Sequence, residues 1–117
     1  MSEQDIKGES YWIRYDQATT TVKFQGKLAL TGAKDYLAIN ALLQNVVAQA
    51  PSDMTLDLRE LSFLNSSGIS MLSKFVLGLR KQAQLQLIVL GSHQMSWQSK
   101  SLKNLQKFLP SLRLEVE

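Results

Sequence analysis

Twice in this chain an apolar run at strand period leads into a segment at helical period, and that repeated change of period narrows the fold more than any other feature. Met54, Leu56 and Leu58 alternate with Thr55 and Asp57, as on a strand with different surroundings on its two faces, and Leu61 and Phe63 carry the chain onward. After Asn65-Ser66-Ser67-Gly68 the period becomes helical, with Ile69, Leu72, Phe75, Val76 and Leu79 forming an apolar stripe. Residues 85–90 then read as a buried strand ended by Gly91, and residues 96–109 as a helix with Leu102, Leu105 and Leu109 on one face, stopped by Pro110. Units of this kind need crossover connections, which make the sheet largely parallel.

The segments before them fix the rest of the order. Tyr11, Ile13 and Tyr15 alternate with Trp12 and Arg14, and residues 21–30 continue as extended chain with Gly26 marking a bend or bulge, so the opening is β-β. Across residues 33–50, Tyr36, Ile39, Leu42, Leu43, Val46, Val47 and Ala50 predict one helix, started at Thr31 or Gly32 and stopped by Pro51. Leu112, Leu114 and Val116 predict a weak edge strand. The expected architecture is α/β in the order β-β-α-β-α-β-α plus that last strand. A mixed, mostly parallel sheet with packed helices fills residues 11–117, behind a polar segment at residues 1–10. The β-β opening argues against a regular doubly wound sheet.

Composition removes whole classes of chemistry. At 117 residues, 44% hydrophobic and 20% charged, the chain suits one domain that folds without metal or disulfide. It has no cysteine and one histidine, His93, so thiol nucleophiles and Cys/His metal clusters are excluded and no cofactor is expected. The opening MSEQDIKGES lacks the basic head and apolar run of an export signal, and no apolar stretch approaches the ~20 residues that span a bilayer. A cytoplasmic protein without membrane insertion is expected. Net charge is +3, concentrated in residues 79–117, which hold six basic and two acidic side chains. Lys100, Lys103 and Lys107 make a basic row on the last helix. Without interleaved aromatics or a Gly-rich phosphate loop this row reads as a solvated face rather than a nucleic-acid or lipid site. Trp97 reads as a partly buried anchor, and His93 as a surface loop residue with no partner for acid-base work.

Residues 56–69, Leu-Asp-Leu-Arg-Glu-Leu-Ser-Phe-Leu-Asn-Ser-Ser-Gly-Ile, resemble the STAS domain, the module of anti-sigma-factor antagonists and of sulfate-transporter tails. In that family a strand ending in an apolar-Asp-Leu run leads to Asp-Ser-Ser-Gly or Asp-Ser-Gly at the start of a helix. Gly26-Lys27-Leu28 is similar to the family's Gly-Xaa-Leu turn, and the element order agrees over residues 11–116. Two positions depart from the pattern. Asn65 stands at the family's Asp, and Ala29 stands where many antagonists have Asp, so contacts made by those carboxylates are absent here.

The resemblance implies a regulatory protein-binding module that binds an anti-sigma factor or related protein kinase. That kinase phosphorylates a serine in the turn and a phosphatase reverses it. Position points to Ser67, directly before the glycine, with Ser66 as second choice. Phosphate at a helix N-terminus is locally stabilised by free N–H groups and the helix dipole, so its effect falls on the partner. At 100° per residue the buried stripe centres on Leu72 and Leu79, which leaves Ser67, Ser70, Met71, Lys74, Gly78 and Lys81 as an outer docking strip beside Asn65 and Ser66. On residue chemistry alone, Asn65 or Ser66 caps the helix and Gly68 permits close packing. A divergent STAS scaffold or ligand-sensing domain without a phosphorylation cycle is the competing reading. An enzyme using Ser66 or Ser67 as nucleophile lacks a base and a nucleophile-elbow sequence.

Overall fold

Each strand of this protein joins the sheet beside the one before it, and that order decides where the helices go. The computed structural model describes residues 5–117. Its strands β1 (Ile6–Lys7), β2 (Tyr11–Asp16), β3 (Thr21–Leu28), β4 (Asp53–Leu64), β5 (Gln86–Gly91) and β6 (Arg113–Val116) form one sheet in that order. The first three are antiparallel neighbours and the last four parallel ones. Helices α1 (Gly32–Asp35) and α2 (Leu37–Ala48) join β3 to β4, α3 (Ser66–Gly78) and a 3-10 turn at Leu79–Lys81 join β4 to β5, and α4 (Gln98–Phe108) joins β5 to β6. Crossovers of one hand in a sheet that grows in one direction all fall on the same face. The helices therefore form a single layer.

Burial follows this geometry. Ile13, Val22, Phe24, Leu56, Leu58, Leu87 and Val89 point into one core with Ile39, Leu43, Leu72, Val76 and Leu105 from the helices. Each such side chain contributes roughly 1.5–3 kcal/mol by leaving water. The alternate strand residues build an open, polar sheet face, as a one-sided sheet requires. Here Lys23 pairs with Glu60 at 2.9 Å, Arg113 with Glu115 at 2.7 Å, and Arg59 with Asp57 at 2.9 Å and Glu117 at 3.4 Å. Lys7 and Arg14 lie over the Trp12 ring at 5.1 and 4.5 Å from its centroid. None of the described helices is long and apolar enough to cross a membrane.

The structure refines three expectations. The helix foreseen over residues 33–50 is broken at Tyr36, which leaves helical geometry as its ring enters the core. The polar segment at residues 1–10 contributes β1, paired with Ile13 and Trp12; residues 1–4 lie outside the described residues. The strand foreseen around Met54 continues through Leu64 and outruns β5, whose pairing stops at Asp57. Beyond that point side chains replace the missing neighbour. The fully buried Gln98 donates from Nε2 to the carbonyls of Leu58 and Leu61 and accepts from Ser92 N at 2.8 Å, while Trp97 Nε1 donates to Leu61 O at 2.7 Å. Gly26, at φ +91°, sits at a register shift between β3 and β4, as the bend reading expects.

Candidate functional site

The turn between β4 and α3 is held by one side chain. Asn65, in extended geometry at the N-cap of α3, accepts from Gly68 N at 3.0 Å through Oδ1, which is the capping bond of a helix start. The same oxygen accepts from the Tyr36 hydroxyl at 2.6 Å, and Nδ2 donates to Leu30 O at 2.8 Å. Leu30 N in turn donates to the Tyr36 oxygen at 3.4 Å. Burial pushes the Tyr36 phenol above its usual range, against the opposing hydrogen bond from Leu30, so it stays a proton donor. Gly68 is needed for space: an added Cβ would strike Leu64 Cδ1 and lie 2.7 Å from the Tyr36 oxygen. An aspartate at position 65 would keep both acceptor bonds and lose the donor to Leu30, so the amide has a physical role here that a carboxylate could not fill.

With Asn65 as the cap, neither serine is needed for that work. Ser66 and Ser67 open the first turn of α3, the former exposed and the latter half-buried. Ser67 lines a groove of about 230 Å³ between α3 and the α1–α2 corner, together with Ala33, Leu37, Asn40, Met71 and Lys74. Lys74 stands two helical turns, about 10 Å along the axis, beyond Ser67 on the same side.

The outer strip foreseen from helical period is rotated in the structure. Ser70, Lys74, Gly78 and Lys81 are exposed, as expected. Met71 is not: it is only 9% exposed and forms the wall of the groove, because the α1–α2 corner covers the flank of α3 on which it sits. The outward direction is instead shared by Ser70 and Leu77, and Leu77 is 39% exposed. Across the groove Leu37, at the start of α2, is 61% exposed. Neither leucine was among the residues foreseen for this surface. Leu77 carried a usable signal, an apolar residue out of phase with its own stripe; Leu37 sits in an apolar run where no phase distinguishes it.

Other candidates lie elsewhere. Lys100, Lys103 and Lys107 are exposed on α4, His93 is exposed in the loop after β5, and Trp97 is the half-buried anchor described above. Ala29 is exposed just past the end of β3. Among the described residues no group of three His, Cys, Asp or Glu side chains gathers as a metal site.

No protein-family model matches the chain, and no curated protein is similar to it in sequence. Solved structures are similar in fold. Apo-SiaC from Pseudomonas aeruginosa superposes with a TM-score of 0.74 at 14% identity, over 100% of this chain and 99% of that one. SiaC in complex with the diguanylate cyclase SiaD, of which it is the activator, superposes at 0.73 with 15% identity, over 97% of each chain. An anti-sigma factor antagonist from Mycobacterium paratuberculosis gives 0.56 at 18% identity, over 97% of this chain and 84% of that one. The chain has the fold of SiaC and of an anti-sigma factor antagonist, the mixed, mostly parallel α/β architecture expected from its element order.

Proposed function

We propose that this protein is a regulatory protein-binding module, not itself an enzyme, whose docking face surrounds the first turn of α3. The partner is an anti-sigma factor or related protein kinase. It is captured when Ser67 is free and released when Ser67 carries phosphate, and a protein phosphatase restores capture. Such a cycle operates in the cytoplasm and controls transcription where the partner holds a sigma factor.

The observation that carries this reading is the division of labour in the turn. Asn65 does the capping, which leaves Ser67 in the wall of an open groove that Lys74 also lines, two turns further along α3. Phosphate there would add a charge of about −1.5 to −2, repel acidic groups and resist desolvation. Losing ~3 kcal/mol of binding weakens a complex about a hundredfold. Ser66, exposed beside it, is the second candidate acceptor.

A second reading draws on SiaC, which matches over nearly the whole length of both chains and activates a diguanylate cyclase. The partner is then an enzyme that docking turns on, and Asn65 with Ala29 suits a scaffold that needs no phosphorylation. Phosphopeptide mapping of the protein from its native cells, with identification of co-purifying proteins, separates the two. Phosphate on Ser67 with a kinase-type partner is the result expected. A peptide unmodified across growth and stress conditions, with a partner still bound, overturns the cycle and leaves a constitutive docking module.

A further inference from the structure

No aspartate or glutamate occurs between Leu61 and Leu114, a stretch that carries Lys74, Arg80, Lys81, Lys100, Lys103, Lys107 and Arg113. The fold sorts these charges by face. Every ion pair among the described residues lies on the open sheet face or its C-terminal edge, and across all four helices the one acidic residue is Asp35. The lysines of the helix layer have no carboxylate partner among the described residues.

On α3 these cations frame apolar surface. Leu77 follows Lys74 by three residues, a neighbouring position on the surface of α3, and Lys81 is exposed at the end of the 3-10 turn that follows the helix. Gly78 leaves the ground beside Leu77 flat, with nothing within 4 Å of where a Cβ would stand. Leu37, across the groove from Lys74, is the more exposed leucine of the pair.

We propose that the element docking on this face is an acidic amphipathic helix of a partner protein. Its apolar side chains meet Leu77 and Leu37, and its carboxylates meet Lys74 and Lys81. Covering the leucines calls for apolar partner atoms, and desolvating the lysines calls for carboxylates; an acidic amphipathic helix supplies both on one element. Nucleic acid supplies phosphates but nothing apolar for the leucines. A membrane surface would need a broader apolar face than two leucines among Ser66, Ser70 and Ser73. Phosphate on Ser67 would stand on the same flank of α3 as Lys74, two turns away, and oppose the partner's carboxylates.

This inference rests on the docking face proposed above, and it does not require phosphorylation. The test titrates the isotope-labelled full chain with two synthetic helical peptides that share a leucine stripe, one flanked by glutamates and one by lysines. The glutamate peptide is expected to shift the amides of residues 70–81 and of Leu37. It should bind at least about tenfold more tightly than the lysine peptide, and about tenfold less tightly to a Lys74→Glu/Lys81→Glu variant. Equal binding of both peptides, or no shift on α3, overturns the inference. Tighter binding at the same amides by a DNA duplex or by phosphatidylglycerol vesicles overturns it too. If the glutamate peptide binds wild type and Ser67→Asp alike, this inference stands and the phosphate switch falls. If the peptide fails while Ser67 phosphorylation still releases a native partner, the switch stands and this inference falls.

Discussion

Tyr36 donates its hydroxyl hydrogen to Asn65 Oδ1 across 2.6 Å, tying the corner between α1 and α2 to a turn 29 residues further along the chain. Through Asn65 the same network reaches Leu30 and the first N–H groups of α3, so both walls of the Ser67 groove share one polar anchor. The groove's shape therefore depends on the buried Tyr36, which lines it, and on the bonds that Asn65 makes to both walls.

Removing the anchor should loosen both walls in a graded way. Tyr36→Phe leaves Asn65 with one donor fewer and Leu30 N without its acceptor, a loss of about 1–2 kcal/mol by chemical denaturation. Asn65→Ala removes the cap and all three bonds and should lose about 2–4 kcal/mol. Asn65→Asp, which gives up the Leu30 donor alone, should fall between wild type and Asn65→Ala. Because the Tyr36 phenol is raised by burial, its contribution is complete below the ordinary tyrosine value of about 10 and is lost as pH rises through the folded-state value. Tyr36→Phe should lack that alkaline loss. Equal stability of Asn65→Asp and Asn65→Ala would contradict the network.

Gly68 and Gly78 lie on the same helix and should respond oppositely to alanine. At Gly68 the new methyl would strike Leu64 and push the Tyr36 hydroxyl from Asn65, so Gly68→Ala should destabilise by about 1–3 kcal/mol. At Gly78 the methyl meets open space, so Gly78→Ala should stabilise α3 by up to about 1 kcal/mol. If the flat ground beside Leu77 serves docking, the same variant should bind a partner more weakly despite its higher melting temperature. Thermal unfolding and titration of the two variants read both effects.

Acid sensitivity should trace to the open sheet face. Burial pushes the Asp57 carboxyl up, but hydrogen bonds and charge from Arg59, aided by Lys23, outweigh it and leave the group below its usual range. A carboxylate with a lowered folded-state value adds stability that is present above the unfolded value of about 3.9 and lost as pH falls through the folded one. Unfolding free energy should thus decline below about pH 4, and Asp57→Asn should flatten that decline. An unchanged slope in the variant would remove Asp57 from the account.

The period changes at residues 54–58, 69–79 and 85–90 made the strands, the helices and the parallel sheet legible, because each period follows from backbone geometry. What lay beyond reach depended on neighbours. A stripe on α3 does not say which of its flanks the next helix covers, so helical period alone points Met71 outward and does not single out Leu77. Ile6 and Lys7 are too few to show a period. A cap at Asn65 or Ser66 was legible, and the structure gives it to Asn65; the bonds of Asn65 to Tyr36 and to Leu30, 35 residues away, leave no local spacing to read.

The most direct measurement is the affinity of the co-purified partner for the unmodified protein and for protein phosphorylated at Ser67, with Ser67→Ala as control. The account predicts tight binding to the unmodified protein and to Ser67→Ala, and binding about a hundredfold weaker to the phosphoprotein. The same affinity for all three would contradict it and leave α3 as a docking face without a switch.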